Sequence, residues 1–105
     1  MTKNEIRTSD YFDDWLATLK DRNARRAIKR RIRNAENGNF GKGRKNVAEG
    51  VSEMKIDHGP GYRLYYCQRG DTLYLLLAGG DKSTQSDDIR RAVAIKREAE
   101  AEGKW

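Results

Sequence analysis

A single cysteine, Cys67, leaves the chain of 105 residues without an internal disulfide, and with neither CxxC redox chemistry nor a cysteine-rich zinc site. A single histidine, His58, argues further against a metal centre. No apolar run approaches the roughly 20 residues that cross a bilayer, and the N-terminal "MTKNEIRTSDYFDDW" lacks the apolar stretch of a secretory signal, so the expected place is the cytoplasm, without a membrane partner. Hydrophobic residues amount to only 36%, which at this length predicts one domain over residues 1–105 whose core is concentrated in a few segments.

Positive charge is abundant and uneven. The net charge is +6, and residues 22–45 hold 10 basic groups against 1 acidic. Such a block is an electrostatic footprint for polyanions, nucleic acid first among them; its plainer meaning is a well-solvated helix face.

Phe12, Trp15, Leu16 and Leu19 recur at helical spacing behind Thr8 or Ser9 as N-cap. After a short reversal, Asp21 is a candidate cap for a second helix with Ala24, Ala27, Ile28, Ile32 and Ala35 on one side. Arg22, Arg25, Arg26, Lys29 and Arg33 fall opposite that stripe as a cationic ridge, while Arg31 points away from it and must snorkel or pair. "NGNFGKGRKN" then reads as a mobile loop, and its Lys42, Arg44 and Lys45 extend the surface offered to RNA or a ribosome.

From Val51 the period changes to two. Met54 and Ile56 take one face of a strand, and Glu53, Lys55 and Asp57 take the other. "HGPGY" is dense in turn chemistry and "YRLYYCQ" returns as a second strand, placing Arg63 and Tyr65 beside Glu53 and Lys55 if the hairpin is in register. "TLYLLLA" is apolar on both faces, as a central strand should be, and Gly79–Gly80 should stop it. A last helix carries Ile89, Ala92, Val93, Ile95 and Ala99, with Thr84, Ser86 or Asp87 as caps and an acidic end expected to fray. With a short strand near Lys3–Arg7 the order is β-α-α-β-β-β-α: an α+β fold with an N-terminal helical hairpin and a C-terminal helix on one face of a largely antiparallel sheet.

Lys82 lies just past the central strand, where it can lean toward Lys55 and Arg63. Three convergent cations call for an anion, and a phosphodiester is the obvious one. RNA carries its own nucleophile in the 2′-hydroxyl, so cleavage needs in-line positioning, proton transfer and positive charge, and no cofactor. Arg63 suits phosphate geometry, with Lys55 or Lys82 adding charge or moving protons. Glu53 and His58 are candidate bases, and Tyr65 could stack on a nucleobase or donate its hydroxyl.

The segments "DWLATLKDRNARRAIKRRI", "EMKIDHGPGYRLYY" and "LYLLLAGGDKSTQSDDIRRA" together resemble the RelE/ParE superfamily of toxins, most closely the HigB-like, phage-derived branch of addiction-module killer proteins. The resemblance spans roughly residues 5 to 97 and implies a helical hairpin, an antiparallel sheet and a C-terminal helix. It implies ribosome-dependent cleavage of mRNA as the toxin of a type II toxin-antitoxin module, with a helix-turn-helix antitoxin as partner. Lys55 and Arg63 match the basic hairpin residues of that family, and Lys82 matches the arginine after the final strand. Glu53 stands where RelE-like toxins have another lysine, and Asp88 near their C-terminal catalytic tyrosine, so Glu53, His58, Asp88 or Tyr65 must take over proton transfer. The ParE side of the superfamily implies a different activity, inhibition of DNA gyrase by protein contact. A third reading is a non-catalytic nucleic-acid-binding protein.

Overall fold

The structure, a computed structural model, describes residues 3–41 and 44–105; Lys42, one of the expected RNA-binding cations, lies outside them. The elements are β1 (Glu5–Thr8), α1 (Asp10–Thr18), α2 (Arg22–Glu36), β2 (Arg44–Ala48), β3 (Val51–Ile56), β4 (Tyr62–Arg69), β5 (Leu73–Gly80), a 3-10 turn (Lys82–Thr84) and α3 (Gln85–Ala101). They form an α+β fold around one five-stranded mixed sheet in the order β1-β5-β4-β3-β2. β1 runs parallel to β5, and every other neighbour is antiparallel. Among the described residues no helix is long and apolar enough to cross a membrane.

Both helix starts expected of the hairpin are built by their caps. Ser9 Oγ accepts from Phe12 N at 3.0 Å and donates to the Leu77 carbonyl at 2.7 Å, fixing α1 to β5. Asp21 accepts from Ala24 N at 3.0 Å at the head of α2.

The helices do not share a face. Phe12, Ala24, Ile28 and Ala35 of α1 and α2 pack on Met54, Ile56, Leu64, Tyr66 and Leu76, whereas Ala92 and Val93 of α3 pack on Val51, Tyr65, Cys67, Leu75 and Leu77. Strand parity requires this, because β5 is buried at seven successive positions from Tyr74 to Gly80 and needs cover on both sides.

The segment expected to be a loop contributes β2, a fifth strand. Arg44, Lys45 and Asn46 are exposed and carry no apolar alternation, so the strand is set by its ladder to β3 and by the two-residue turn at Glu49 and Gly50, both at positive φ. Charged residues on an edge strand also discourage pairing with another chain. Phe40 just before it is buried, its ring 4.5 Å from that of Tyr74 and beneath the guanidinium of Arg44.

Gly79 and Gly80 do not stop β5; the strand runs through both. They are glycines because two side chains occupy the space a Cβ would take, the Trp15 ring over Gly79 and the Asp88 carboxyl over Gly80, on opposite faces of the sheet. Gly79→Ala is therefore expected to cost about 1–3 kcal/mol by forcing Trp15 from its seat, measured by urea denaturation.

The chain end is also anchored. Gly103, at φ +70°, donates to Glu100 O at 3.1 Å and Lys104 N donates to Ala99 O at 2.8 Å, closing α3 in a Schellman turn. Trp105 thereby folds back to 8% exposure, with the Arg69 guanidinium 4.9 Å from its ring centre.

A candidate phosphate site at one end of the sheet

Two adjacent cross-strand rows on the α3 face carry four of the seven candidate catalytic residues, Glu53, Lys55, Arg63 and Tyr65. One row is Lys45, Glu53, Tyr65 and Ala78; the next is Lys55, Arg63 and Gly80. The first turn of α3 sits over them, bringing Gln85 to Glu53 and Asp88 to Gly80.

Glu53 and Tyr65 were expected on an open polar face, and both are fully buried. Glu53 is held by charge: Arg63 Nε lies 3.6 Å from its Oε2 and Lys45 Nζ 3.9 Å from its Oε1, while Gln85 Nε2 donates to Oε2 at 3.2 Å. The protein thus supplies one anion for its own cations. So placed, Glu53 cannot meet a 2′-hydroxyl, and Tyr65 cannot stack on a nucleobase. Burial, reinforced by the Glu53 charge, pushes the Tyr65 phenol up to about 12, so it stays protonated at neutral pH.

Arg63 is the bridge between this interior and the surface. Its side chain keeps 11% exposure, and one terminal nitrogen, Nη1, donates to Gly61 O at 3.3 Å in the β3–β4 turn. Lys55, its cross-strand partner, is exposed; Lys82, two residues past Gly80, is exposed at the start of the 3-10 turn. Asp81 caps that turn by accepting from Ser83 N at 2.8 Å.

Asp88 is half-buried, and its Oδ2 accepts from Thr84 Oγ1 at 2.6 Å. Burial raises its pKa above the ordinary 3.8; the Thr84 hydroxyl opposes the shift, and the charges of Asp81 and Asp87 add to it. A carboxyl with a raised folded-state pKa binds its proton more tightly folded than unfolded, so it favours the folded state at acid pH and loses that contribution as pH climbs past 3.8 and through the folded value. Asp88→Asn is accordingly expected to raise the melting temperature slightly at neutral pH, with the gain vanishing below pH 3.8, as read in melts across pH.

His58 stands apart from this cluster. Its Nε2 is 3.4 Å from Oδ2 of Asp21, the cap of α2, so it ties the β3–β4 turn to the helical hairpin. On α2, Arg22, Arg26, Lys29 and Arg33 are exposed, as the ridge requires, but Arg25 is half-buried and donates to the Leu19 carbonyl at the end of α1. Arg31 is half-buried, and burial lowers its pKa. Among the described residues no three His, Cys, Asp or Glu side chains gather as metal ligands.

Sequence reasoning missed Lys45 as a partner of Glu53, missed Gln85, and offered Thr84 only as a helix cap and not as the donor to Asp88. No family model matches the chain. Over 94 residues it is 44% identical to an uncharacterized protein of Haemophilus influenzae, an alignment covering 90% of this chain and 94% of that one.

Proposed function

The chain belongs to the same family as the Haemophilus influenzae protein, and we propose that it is a RelE/ParE-superfamily toxin that cleaves mRNA on the ribosome without a metal. One observation carries the reading: Lys55 and Arg63 are cross-strand partners, Gly80 completes their row, Lys82 opens the 3-10 turn two residues beyond that glycine, and the Asp88 carboxyl is seated on it.

A phosphodiester held there would meet the guanidinium of Arg63, whose fork matches phosphate oxygens, with the two lysines adding charge from either side. The 2′-oxygen attacks phosphorus as the bond to the 5′-oxygen breaks, leaving a 2′,3′-cyclic phosphate and a 5′-hydroxyl. One proton must leave the 2′-hydroxyl and one must reach the 5′-oxygen. Asp88 is the carboxyl at hand for one of these transfers, because its raised pKa brings it nearer the working range of a general acid or base. The exposed cations of α2, with Arg44 and Lys45 of β2, supply sequence-independent contacts to ribosomal phosphates. A helix-turn-helix antitoxin would be the cognate partner.

Induced expression tests the reading. Growth should stop, new 5′ ends should appear in transcripts, and Arg63→Ala should abolish both. Arrest with intact transcripts and inhibited DNA supercoiling would instead place the protein with gyrase poisons, and no arrest at all would refute both toxin readings.

A further inference from the structure

Glu53 is a buried ionisable group with no step to perform in the reaction above. It lies at 0% exposure, where a carboxylate is costly and where an apolar residue of similar size would pack as well or better. Its surroundings suggest what it does. Arg63 has five N–H donors: Nε is turned to Glu53, Nη1 is bonded to Gly61 O, and among the described residues Nη2 and one hydrogen of Nη1 have no partner. A guanidinium fixed at its inner edge presents its outer edge in one orientation, as bidentate capture of a phosphate requires. Glu53 Oε1 and Arg63 Nε have no hydrogen-bond partner among the described residues, and at 3.6 Å the pair is an ion pair and not a hydrogen bond.

We propose that Glu53 is a positioning residue: it aims the Arg63 guanidinium at the scissile phosphate, and through Gln85 it ties that aim to the helix turn bearing Asp88. The inference rests on the nuclease reading for its consequence, but the coupling of residues 53, 63 and 85 is a property of the folded chain and is measurable without cleavage. Lys45, at the exposed edge, balances the remaining charge of the carboxylate from the solvent side.

Two measurements test it. In 15N-labelled protein the Arg63 Nε–H resonance should be resolved and slow to exchange, should shift when a 2′-deoxy-substituted, uncleavable RNA oligonucleotide is added, and should broaden or move to the free-arginine position in Glu53→Gln. In cleavage assays Glu53→Gln should lower kcat by about 10- to 100-fold, the range expected of a misaimed group, with KM changed by less than about threefold. Combined with Arg63→Lys it should cost little more than Arg63→Lys alone, since both changes remove the same aimed guanidinium. Should Glu53→Gln fail to fold, Gln85→Ala carries the same measurements with a smaller loss of kcat. An Arg63 resonance indifferent to both variants, or losses that simply multiply with Arg63→Lys, would overturn the proposal. A wild-type protein that cleaves nothing yet shows the resonance coupled to Glu53 would refute the nuclease reading and leave the aiming of Arg63 supported.

Discussion

On the nuclease reading proposed above, Arg63→Ala is expected to lower the rate of mRNA cleavage by about 10²–10³-fold, the effect of deleting one preorganised donor to a transition-state anion. It should do so more than Lys55→Ala or Lys82→Ala, because those side chains are exposed while Arg63 is held at its inner edge by Glu53 and at Nη1 by Gly61 O. Single-turnover cleavage of ribosome-bound message gives the number. A loss under threefold, with the variant folded, would remove Arg63 from the phosphate contacts. Melting curves must accompany the assay, since the same substitution leaves Glu53 short of its nearest counter-charge.

Glu53→Ala should be the most destabilising polar substitution, at about 3 kcal/mol, because it leaves the largely buried Arg63 without its carboxylate. Against a total stability of roughly 5–15 kcal/mol that is a large fraction. The double substitution Glu53→Leu with Arg63→Met fills the same space with apolar groups and should restore stability to near the native value, yet remain inactive. Urea titrations of the three proteins measure this. If Glu53→Ala cost under 0.5 kcal/mol, the usual limit for a surface change, the pair would contribute nothing to the fold. Stability recovered without activity would separate the two roles of the pair: the fold tolerates its replacement, whereas the chemistry does not.

The parts of this architecture that announce themselves in sequence are those where one local pattern suffices. Ser9 and Asp21 precede clean apolar stripes, and both cap as that pattern requires. The β3–β4 hairpin follows from the switch to period two and from "HGPG", whose two glycines take positive φ. Strand β2 gave no such signal, because an exposed edge strand needs no apolar face. The double-sided helix cover was implicit in "TLYLLLA", which cannot be buried on both faces by helices on one.

At the site, the row of Lys55 and Arg63 follows from strand parity and register. The burial of Glu53 does not, since alternating Glu-Met-Lys-Ile reads as an ordinary amphipathic strand with its charges in water. Only tertiary placement, with Lys45 from one neighbour, Arg63 from the other and Gln85 from above, turns a surface-like glutamate into an interior one. The same holds for Gly80, which resembles a strand terminator until Asp88 is seen in the space its side chain would fill.

The most direct measurement of the central claim is the chemistry of the RNA ends left when purified protein is mixed with ribosomes carrying message. Attack by the 2′-oxygen at a phosphate gripped by Arg63, Lys55 and Lys82 predicts 5′-hydroxyl and 2′,3′-cyclic phosphate ends within the ribosome-bound codon, missing with Arg63→Ala. Full-length message after incubation with folded wild-type protein would contradict it.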